Sequence, residues 1–251
     1  IYNPFSVLNA LNDSCIRDYW FLSGTPTFLV RSIQRSGEFL PEMFSEKVDD
    51  SQLAQVDTYS TSPLALMFQT GYLTIKDYDA RRRQYCLGIP NREVREGLFK
   101  GLGGIYLNRD QQKVVNRAID IRISLEDGEV EKAMDLIKSY LAGIPYELSN
   151  GKPEIYFENN LYILLNLIGI DARAEWHTSS GRIDMLLRMP RYIYVMELKL
   201  NGTPEEALAQ IDSKDYALPF KYDGREVVKI GINFSKETRN IDSWLISKRQ
   251  E

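Results

Sequence analysis

Cysteine and histidine are scarce in this chain, which contains two cysteines and one histidine among 251 residues. Cys15 and Cys86 stand far apart with no neighbouring Cys or His at ligand spacing, which argues against a disulfide framework and a zinc site. His177 alone cannot form a histidine-based triad or a zinc-ligand pair. An exposed imidazole at a loop end is the favoured interpretation of His177, and nearby Glu175 has no stronger claim to a site.

Long apolar runs are also missing. No segment approaches the roughly 20 residues of a membrane span, and no signal peptide is present, so we expect a soluble, cytoplasmic protein without a membrane partner. The pattern G-x-x-x-x-G-K-[ST] does not occur, which excludes a P-loop ATPase within these residues. Because the net charge is −4, any contact with nucleic acid must come from local basic patches and metal-bound carboxylates.

With 43% hydrophobic residues the chain is globular, and because it begins at Ile1 without Met we expect a fragment of a longer protein. Residues 1–95 predict a mostly helical, winged-helix-like domain. An apolar helix at 63–71 is followed by two β-rich runs at 72–76 and 84–89. The arginines at 81–83 between these runs could contact phosphate, but a solvated loop tip is the favoured interpretation.

The segment 96–150 has helical periodicity on both sides of a turn at 125–128 and is predicted to be a helical bridge. The sequence at 150–153 marks a break. After it, in the segment 151–251, the order of predicted elements becomes helix, strand, strand, helix, strand. This order indicates an α/β domain.

The first helix of that domain, predicted over 154–168, places Glu158 on an apolar stripe. Buried carboxylates need a partner or a metal, so this position hints at function. The second helix begins with a capping box at Thr203, with proline at its first position. Gln210 and Lys214 share a face of this helix, whereas Tyr216 is turned away and is assigned to packing.

A pair of strands at 181–188 and 192–200 is the most informative passage. Side chains alternate along a strand, so Glu197 and Lys199 share one face with apolar residues. Both faces of this strand are largely apolar, which is typical of a central strand covered on both sides. Glu and Lys occur in such an environment only with compensation.

A loop symmetric about residues 190 and 191 pairs position 184 with position 197, so Asp184 faces Glu197. Cβ atoms of opposite residues are roughly 4.5–5.5 Å apart, and two like charges there are destabilising unless a cation lies between them. Two carboxylates, with the Leu198 carbonyl and waters as possible further ligands, suit Mg²⁺ or Mn²⁺ rather than zinc. Lys199 could activate a water or neutralise charge on a phosphoryl oxygen. A Glu–Lys ion pair with an incidental Asp is the structural alternative.

Gly-Arg-Ile-Asp at 181–184, followed after twelve residues by Glu-Leu-Lys at 197–199, resembles the bipartite motif of the PD-(D/E)XK nuclease superfamily. The sequences at 205–216 and 228–234 are similar to the nuclease domain attached to bacterial AAA-ATPase-like proteins. Parts of 2–73 resemble the region that follows the ATPase core in the same proteins. The nuclease resemblance covers nearly all of 150–245.

The resemblance implies a restriction-endonuclease-like mixed sheet flanked by helices. It also implies metal binding by Asp184 and Glu197, catalysis by Lys199, and roles for the acidic Glu158 and the accessory Gln210. An ATPase domain is implied N-terminal to these residues. We therefore expect a Mg²⁺- or Mn²⁺-dependent nuclease with nucleic acid as its partner, DNA being favoured over RNA. The alternative is a catalytically inactive nucleic-acid or protein interaction module.

Overall fold

A computed structural model of the chain describes residues 4–15, 19, 27–45, 47–54, 63–106, 111–144, 153–167 and 170–248. The chain divides into two compact units, 1–105 and 106–251. The sequence predicts breaks near 95 and 150, and the structure places the division at residue 105. Apart from Pro153, the predicted break at 150–153 lies outside the described residues, as does the start of the chain at Ile1.

The first unit combines helices with a small antiparallel sheet. Its helices are α1 (Pro4–Asp13), α2 (Thr27–Ser36), α3 (Leu40–Met43), α4 (Asp50–Ala54), α5 (Pro63–Gln69) and α6 (Arg92–Tyr106). Its strands are β1 (Lys47–Val48), β2 (Thr74–Asp79) and β3 (Gln84–Gly88), in the order β1-β3-β2. The predicted helix and hairpin are present with shifted ends, and the winged-helix-like assignment stays a prediction.

The turn between β2 and β3 carries the three consecutive arginines at 81–83, all of which are exposed. Arg82 donates a hydrogen bond to the Asp79 carboxylate at 3.1 Å. This exposed ion pair fits a solvated loop tip.

The second unit contains the domain that the sequence predicts to be α/β. Its helices are α7 (Gln111–Glu126), α8 (Val130–Leu141), α9 (Pro153–Leu167) and α10 (Pro204–Ser213), with a short 3₁₀ turn at Leu218–Phe220. Its strands are β4 (Asp171–Thr178), β5 (Gly181–Arg188), β6 (Tyr192–Leu200), β7 (Glu226–Ser235) and β8 (Asn240–Lys248). Among the described helices of the whole chain, none is both long and apolar enough to cross a bilayer.

The five strands form one sheet in the order β4-β5-β6-β7-β8, in which β6 and β7 are parallel and the other neighbours are antiparallel. Helix α10 lies in the connection from β6 to β7 and packs on both strands. On the other face, Phe157 of α9 stacks on Phe234 of β7 at 5.0 Å between ring centroids. The sheet is therefore mixed and flanked by helices, as the sequence predicts.

The pairing of β5 with β6 follows the predicted register. Met185 lies opposite Met196 and Leu187 opposite Tyr194. The pairs end at Met185 and Met196, one residue before positions 184 and 197. The turn closes with a hydrogen bond from Met189 N to Tyr192 O at 2.9 Å.

The two edge strands, β4 and β8, are absent from the sequence prediction, which was wrong in this respect. Both strands carry many polar and exposed side chains, so their apolar periodicity is weak. In β4 the periodicity is further disturbed at Glu175, which has a positive φ of 55°. His177, predicted at a loop end, is exposed but lies within β4 and pairs with Arg182.

Helices α7 and α8 belong to the same unit as the sheet because they are hydrogen-bonded to it. The Tyr194 hydroxyl donates to the Leu125 carbonyl at 2.6 Å, and Trp244 Nε1 donates to Glu131 at 2.7 Å. Lys138 Nζ donates to the Asp242 carbonyl at 2.9 Å. These bonds join residues more than 60 positions apart and explain why the division lies before α7.

Candidate active site

Two carboxyl groups meet where β5 and β6 begin to separate. Asp184 is partly buried, and its Oδ2 accepts a hydrogen bond from Leu198 N at 2.7 Å. Glu197 is 1% exposed, and its carboxyl group is close enough to feel the charge of Asp184. The structure thus brings together the two residues that the sequence predicts as metal ligands.

The two carboxylate oxygens of the buried Glu197 differ in their hydrogen bonds. Its Oε1 accepts hydrogen bonds from Gln210 Nε2 and from Lys199 Nζ, the latter at 3.5 Å. Its Oε2 has no hydrogen-bond partner among the described residues. A buried acceptor without a donor is costly, so this oxygen is suited to a cation.

Lys199 and Gln210 complete the group. Lys199 Nζ donates to Gln210 Oε1 at 2.6 Å, so the glutamine amide bridges the lysine and Glu197. The Lys199 side chain is 28% exposed, so it is partly accessible from solvent. Gln210 was expected to be an accessory residue, and the structure places it in direct contact with both neighbours.

Helix α10 holds Gln210 in place through its start and its close packing. Thr203 and Glu206 form the predicted capping box, with backbone-to-side-chain bonds of 3.0 and 3.1 Å. Gly231 of β7 lies opposite Glu197 and allows α10 to approach the sheet closely. A Cβ atom at this position would lie 2.2 Å from the Pro204 carbonyl oxygen. The capping box is confirmed, and the role of Gly231 is a further finding.

Burial raises the pKa of both carboxyl groups, and the charge of Asp184 raises that of Glu197 further. Burial raises the pKa of Asp184, while the Leu198 N–H bond and the charge of Lys199 oppose the shift. Burial, followed by the negative charge of Asp184, raises the pKa of Glu197 to about 7. The pair therefore resists simultaneous ionisation unless a positive charge joins it.

The residues fit a hard divalent cation. In the described part of the chain no group of three or more His, Cys, Asp and Glu side chains gathers as a metal set. Mg²⁺, however, is commonly held by one or two carboxylates and keeps several waters or substrate oxygens. Asp184 and Glu197, with the unbonded Oε2, meet that requirement. Leu198 donates its backbone N–H to Asp184, and a metal-binding role of its carbonyl stays a prediction.

Glu158 lies on α9 at the edge of a small cleft. The cleft is lined by Phe157, Glu158, Leu198, Lys199, Leu200 and Phe234. Glu158 thus shares a cleft with the lysine of the group, and it is partly exposed rather than buried on the apolar stripe. Its catalytic role stays a prediction.

An ion pair that the sequence did not reveal stands beside Asp184. The Arg182 guanidinium contacts the carboxylate of Glu175, and the charge of Arg182 also acts on Asp184. Glu175 and Asp184 both lie between the paired residues Ala174–Met185 and Trp176–Ile183 of β4 and β5. No sequence pattern indicated this ion pair, because β4 was not predicted and Glu175 therefore had no expected strand partner.

Tyr216 packs as predicted and also positions β5. It is 2% exposed within the core beneath α10. Its hydroxyl accepts a hydrogen bond from Arg182 N at 3.2 Å. Lys214, predicted to share a face with Gln210, is the exposed C-cap residue of α10.

Comparison with known proteins identifies a family for the part of the chain that contains this site. Residues 152–244 match the family model described as PD-(D/E)XK nuclease superfamily. This segment is a PD-(D/E)XK nuclease superfamily domain. The domain contains Asp184, Glu197, Lys199 and Gln210, and its mixed sheet with flanking helices is consistent with a restriction-endonuclease-like fold.

One relative extends beyond that domain. An uncharacterized protein in the vnfD 5′ region of Azotobacter chroococcum mcd 1 is 31% identical over 254 residues. The match covers 98% of this chain and 49% of that protein, so the chain spans about half of the relative's length. No solved structure matches the chain significantly.

Proposed function

We propose that the domain at 152–244 hydrolyses phosphodiester bonds in DNA with the help of Mg²⁺ or Mn²⁺. The observation that carries this proposal is the buried Glu197 carboxylate, which lies against Asp184 and has one oxygen without a donor. An ordinary ion pair with Lys199 does not account for that oxygen, because the lysine contacts Oε1. Membership of a nuclease superfamily supports the same conclusion.

Each residue of the group has a distinct task in this proposal. Asp184 and Glu197 would hold the cation, which when bound supplies Lewis-acid polarisation of a phosphoryl oxygen and a lower pKa for an attacking water. Lys199 places a positive charge beside the pair and can stabilise negative charge that develops on the phosphoryl group. Gln210 orients both the lysine amine and Glu197 Oε1 through its amide. Glu158 would act from the cleft that it shares with Lys199.

Two substitutions distinguish the residue assigned to metal binding from the residue assigned to catalysis. Lys199→Ala should abolish Mg²⁺-dependent cleavage while metal binding is kept, since it removes a cation and no ligand. Asp184→Asn should weaken metal binding, because a hard cation loses an anionic ligand. Cleavage of labelled DNA across a Mn²⁺ titration, paired with calorimetric measurement of Mn²⁺ binding, tests both expectations.

The matched control is Lys229→Ala, which removes a lysine of the same sheet whose ion pair with Asp212 lies outside the group. It should cleave like wild type. Equal cleavage by wild type and Lys199→Ala would exclude the assigned role of the lysine. Absence of metal-dependent cleavage by wild type on any DNA or RNA offered would favour the inactive interaction module instead.

We also propose that these residues work in a longer protein that carries an AAA-ATPase-like domain N-terminal to them. The resemblance of the first unit to the region that follows such ATPase cores supports this context. A negative cleavage result therefore has to be repeated with that domain present, since it could be required to deliver the substrate.

A further inference from the structure

An ion pair joins the edge strand β4 to the strand that carries Asp184. The guanidinium of Arg182 contacts the carboxylate of Glu175. Arg182 precedes Asp184 by two residues in β5. Glu175 and Asp184 lie in the same step of the β4–β5 ladder, between two pairs of opposite residues. The ion pair is therefore adjacent to a candidate metal ligand, although neither of its members belongs to the predicted ligands.

The backbone of both strands is constrained at this ion pair. Glu175 has a φ of 55°, a left-handed conformation that is uncommon for residues other than glycine. On β5, Arg182 N donates a hydrogen bond to the hydroxyl of the buried Tyr216 at 3.2 Å. A Cβ atom at Gly181 would lie 2.8 Å from the same hydroxyl oxygen, so β5 packs closely on Tyr216. Unfavourable backbone conformations of this kind are concentrated at sites where they position a functional group.

The two side chains of the pair differ in exposure. The Arg182 side chain is 51% exposed, whereas that of Glu175 is 16% exposed. A half-exposed arginine would otherwise sample many rotamers, and the contact with the less exposed carboxylate restricts them. Glu175 therefore determines where the positive charge of Arg182 lies.

The two charges of the pair act on a bound cation in opposite directions. Burial is the largest effect on the pKa of Asp184 and raises it, whereas the charge of Arg182 is among the effects that lower it, so the guanidinium acts on this carboxyl group. The same positive charge would repel a divalent cation held by Asp184. The negative charge of Glu175, which contacts the guanidinium, offsets that repulsion.

We propose that Glu175 is a positioning residue of the metal site, which holds the Arg182 guanidinium and offsets its charge so that Asp184 and Glu197 bind a divalent cation more tightly. This inference rests on the proposed function and concerns the cation affinity of the same site. Loss of Glu175 alone and loss of Arg182 alone should therefore change the affinity in opposite directions.

Calorimetric titration of the full chain with Mn²⁺, at constant pH and ionic strength, measures the effect. Glu175→Gln leaves the arginine charge without its partner and should raise the Kd for Mn²⁺ roughly fivefold. Arg182→Gln leaves the carboxylate charge without its partner and should lower the Kd by roughly the same factor. The double variant should bind within about twofold of wild type, because the two effects cancel. Structural damage would weaken binding in both single variants, so the opposite directions distinguish positioning from damage.

Glu126→Gln and Arg122→Gln are the matched controls. These two residues form an ion pair on α7 at 2.7 Å, and their substitutions change the net charge by the same amounts. Both variants should keep the wild-type Kd. Arg182→Lys keeps the positive charge and should also bind like wild type. Thermal unfolding without metal confirms that each variant folds. If Arg182→Gln fails to fold, Glu175→Asp, which keeps the negative charge, should still bind Mn²⁺ more tightly than Glu175→Gln.

An unchanged Kd in both single variants, or weaker binding in both, would overturn the positioning role. If wild type binds Mn²⁺ and cleaves DNA in that case, the proposed function stands and only this role falls. If the single variants shift the Kd in opposite directions but wild type cleaves no nucleic acid, the positioning role stands and the nuclease proposal falls. If wild type neither binds Mn²⁺ nor cleaves, both fall together.

Discussion

At the scale of single residues, Glu197 links the stability of the protein to its metal site. The side chain is 1% exposed, and burial together with Asp184 raises its pKa to about 7 from an ordinary value of 4.5. For an acid with a raised pKa, the contribution to stability is present when the group is protonated and is lost as pH rises from the unfolded pKa through the folded one. The metal-free protein therefore loses this contribution between about pH 4.5 and 7.

A divalent cation should reverse that loss. Because the cation binds the ionised pair and competes with protons, we expect Mn²⁺ to raise Tm more at pH 8 than at pH 5.5. Differential scanning calorimetry with and without Mn²⁺ at the two pH values measures this. Glu197→Gln, which cannot ionise, should respond weakly and nearly equally at both. A Mn²⁺ effect in wild type that is as large at pH 5.5 as at pH 8 would contradict the assignment.

The sequence alone predicted the group of Asp184, Glu197 and Lys199 because short-range rules set their positions, whereas Gln210 was implied by the resemblance to PD-(D/E)XK nucleases. A tight loop fixes the register of one hairpin, and strand periodicity fixes the face. The ion pair of Arg182 with Glu175 could not be predicted, since it depends on a cross-strand neighbour from β4. The cation–π contacts of Arg173 and Arg188 with Trp176 also depend on β4, because Arg173 and Trp176 belong to that strand.

At the scale of elements, the placement of α10 against the sheet decides whether Gln210 reaches Glu197. The helix start was predictable, because the capping box is a local pattern. The close approach at Gly231 was not, because it involves backbone atoms of Pro204 from a different element. The strands also differ in how well the sequence predicts them. Strands β5 and β6 have strong apolar patterns and were predicted, whereas the edge strands β4 and β8 are polar on their exposed sides and were not.

Gly231→Ala should therefore damage the site as well as the fold. The added methyl group meets backbone atoms, so we expect a loss of roughly 1–3 kcal/mol in the free energy of unfolding. Displacement of α10 should also reduce DNA cleavage more than Mn²⁺ binding, because Gln210 moves while both carboxylates stay.

Urea denaturation and the cleavage assay measure the two effects. The control is Gly224→Ala, whose Cβ would meet no atom within 4 Å. It should lose some stability, because the φ of Gly224 is +85°, yet keep wild-type cleavage. Equal cleavage by the two variants would show that the site tolerates the displacement of α10 by the added methyl group.

At the scale of the whole molecule, the chain consists of two units, and the second begins before the helices α7 and α8. Those helices are bonded to the sheet through Tyr194, Trp244 and Lys138. The sequence assigned them to a bridge, because amphipathic helices do not reveal which surface their apolar faces cover. The family match at 152–244 likewise covers the sheet and the candidate site without these helices.

Fragments test this boundary. We expect residues 106–251 to unfold cooperatively and to keep Mn²⁺-dependent stabilisation, since they hold the complete second core. Residues 151–251 should be markedly less stable, because Tyr194 then loses its acceptor at Leu125 and α9 loses its neighbours. Calorimetric unfolding of both fragments measures the difference, and equal stability would place the boundary at 150 instead.

Strand β6 has two neighbours in the sheet, β5 and β7, and β5 is much closer to it in the sequence. This difference predicts the order in which the strands pair during folding. The hairpin of β5 and β6 closes through a short turn, whereas β7 pairs only after the crossover from Leu200 to Glu226. Local hairpins form faster than parallel pairs, because less loop entropy is lost. Asp184 and Glu197 should therefore approach each other before Gln210 arrives. Mn²⁺ should then accelerate refolding in stopped-flow experiments rather than only slow unfolding, so the ion would assist the chain in reaching its fold before it serves any reaction.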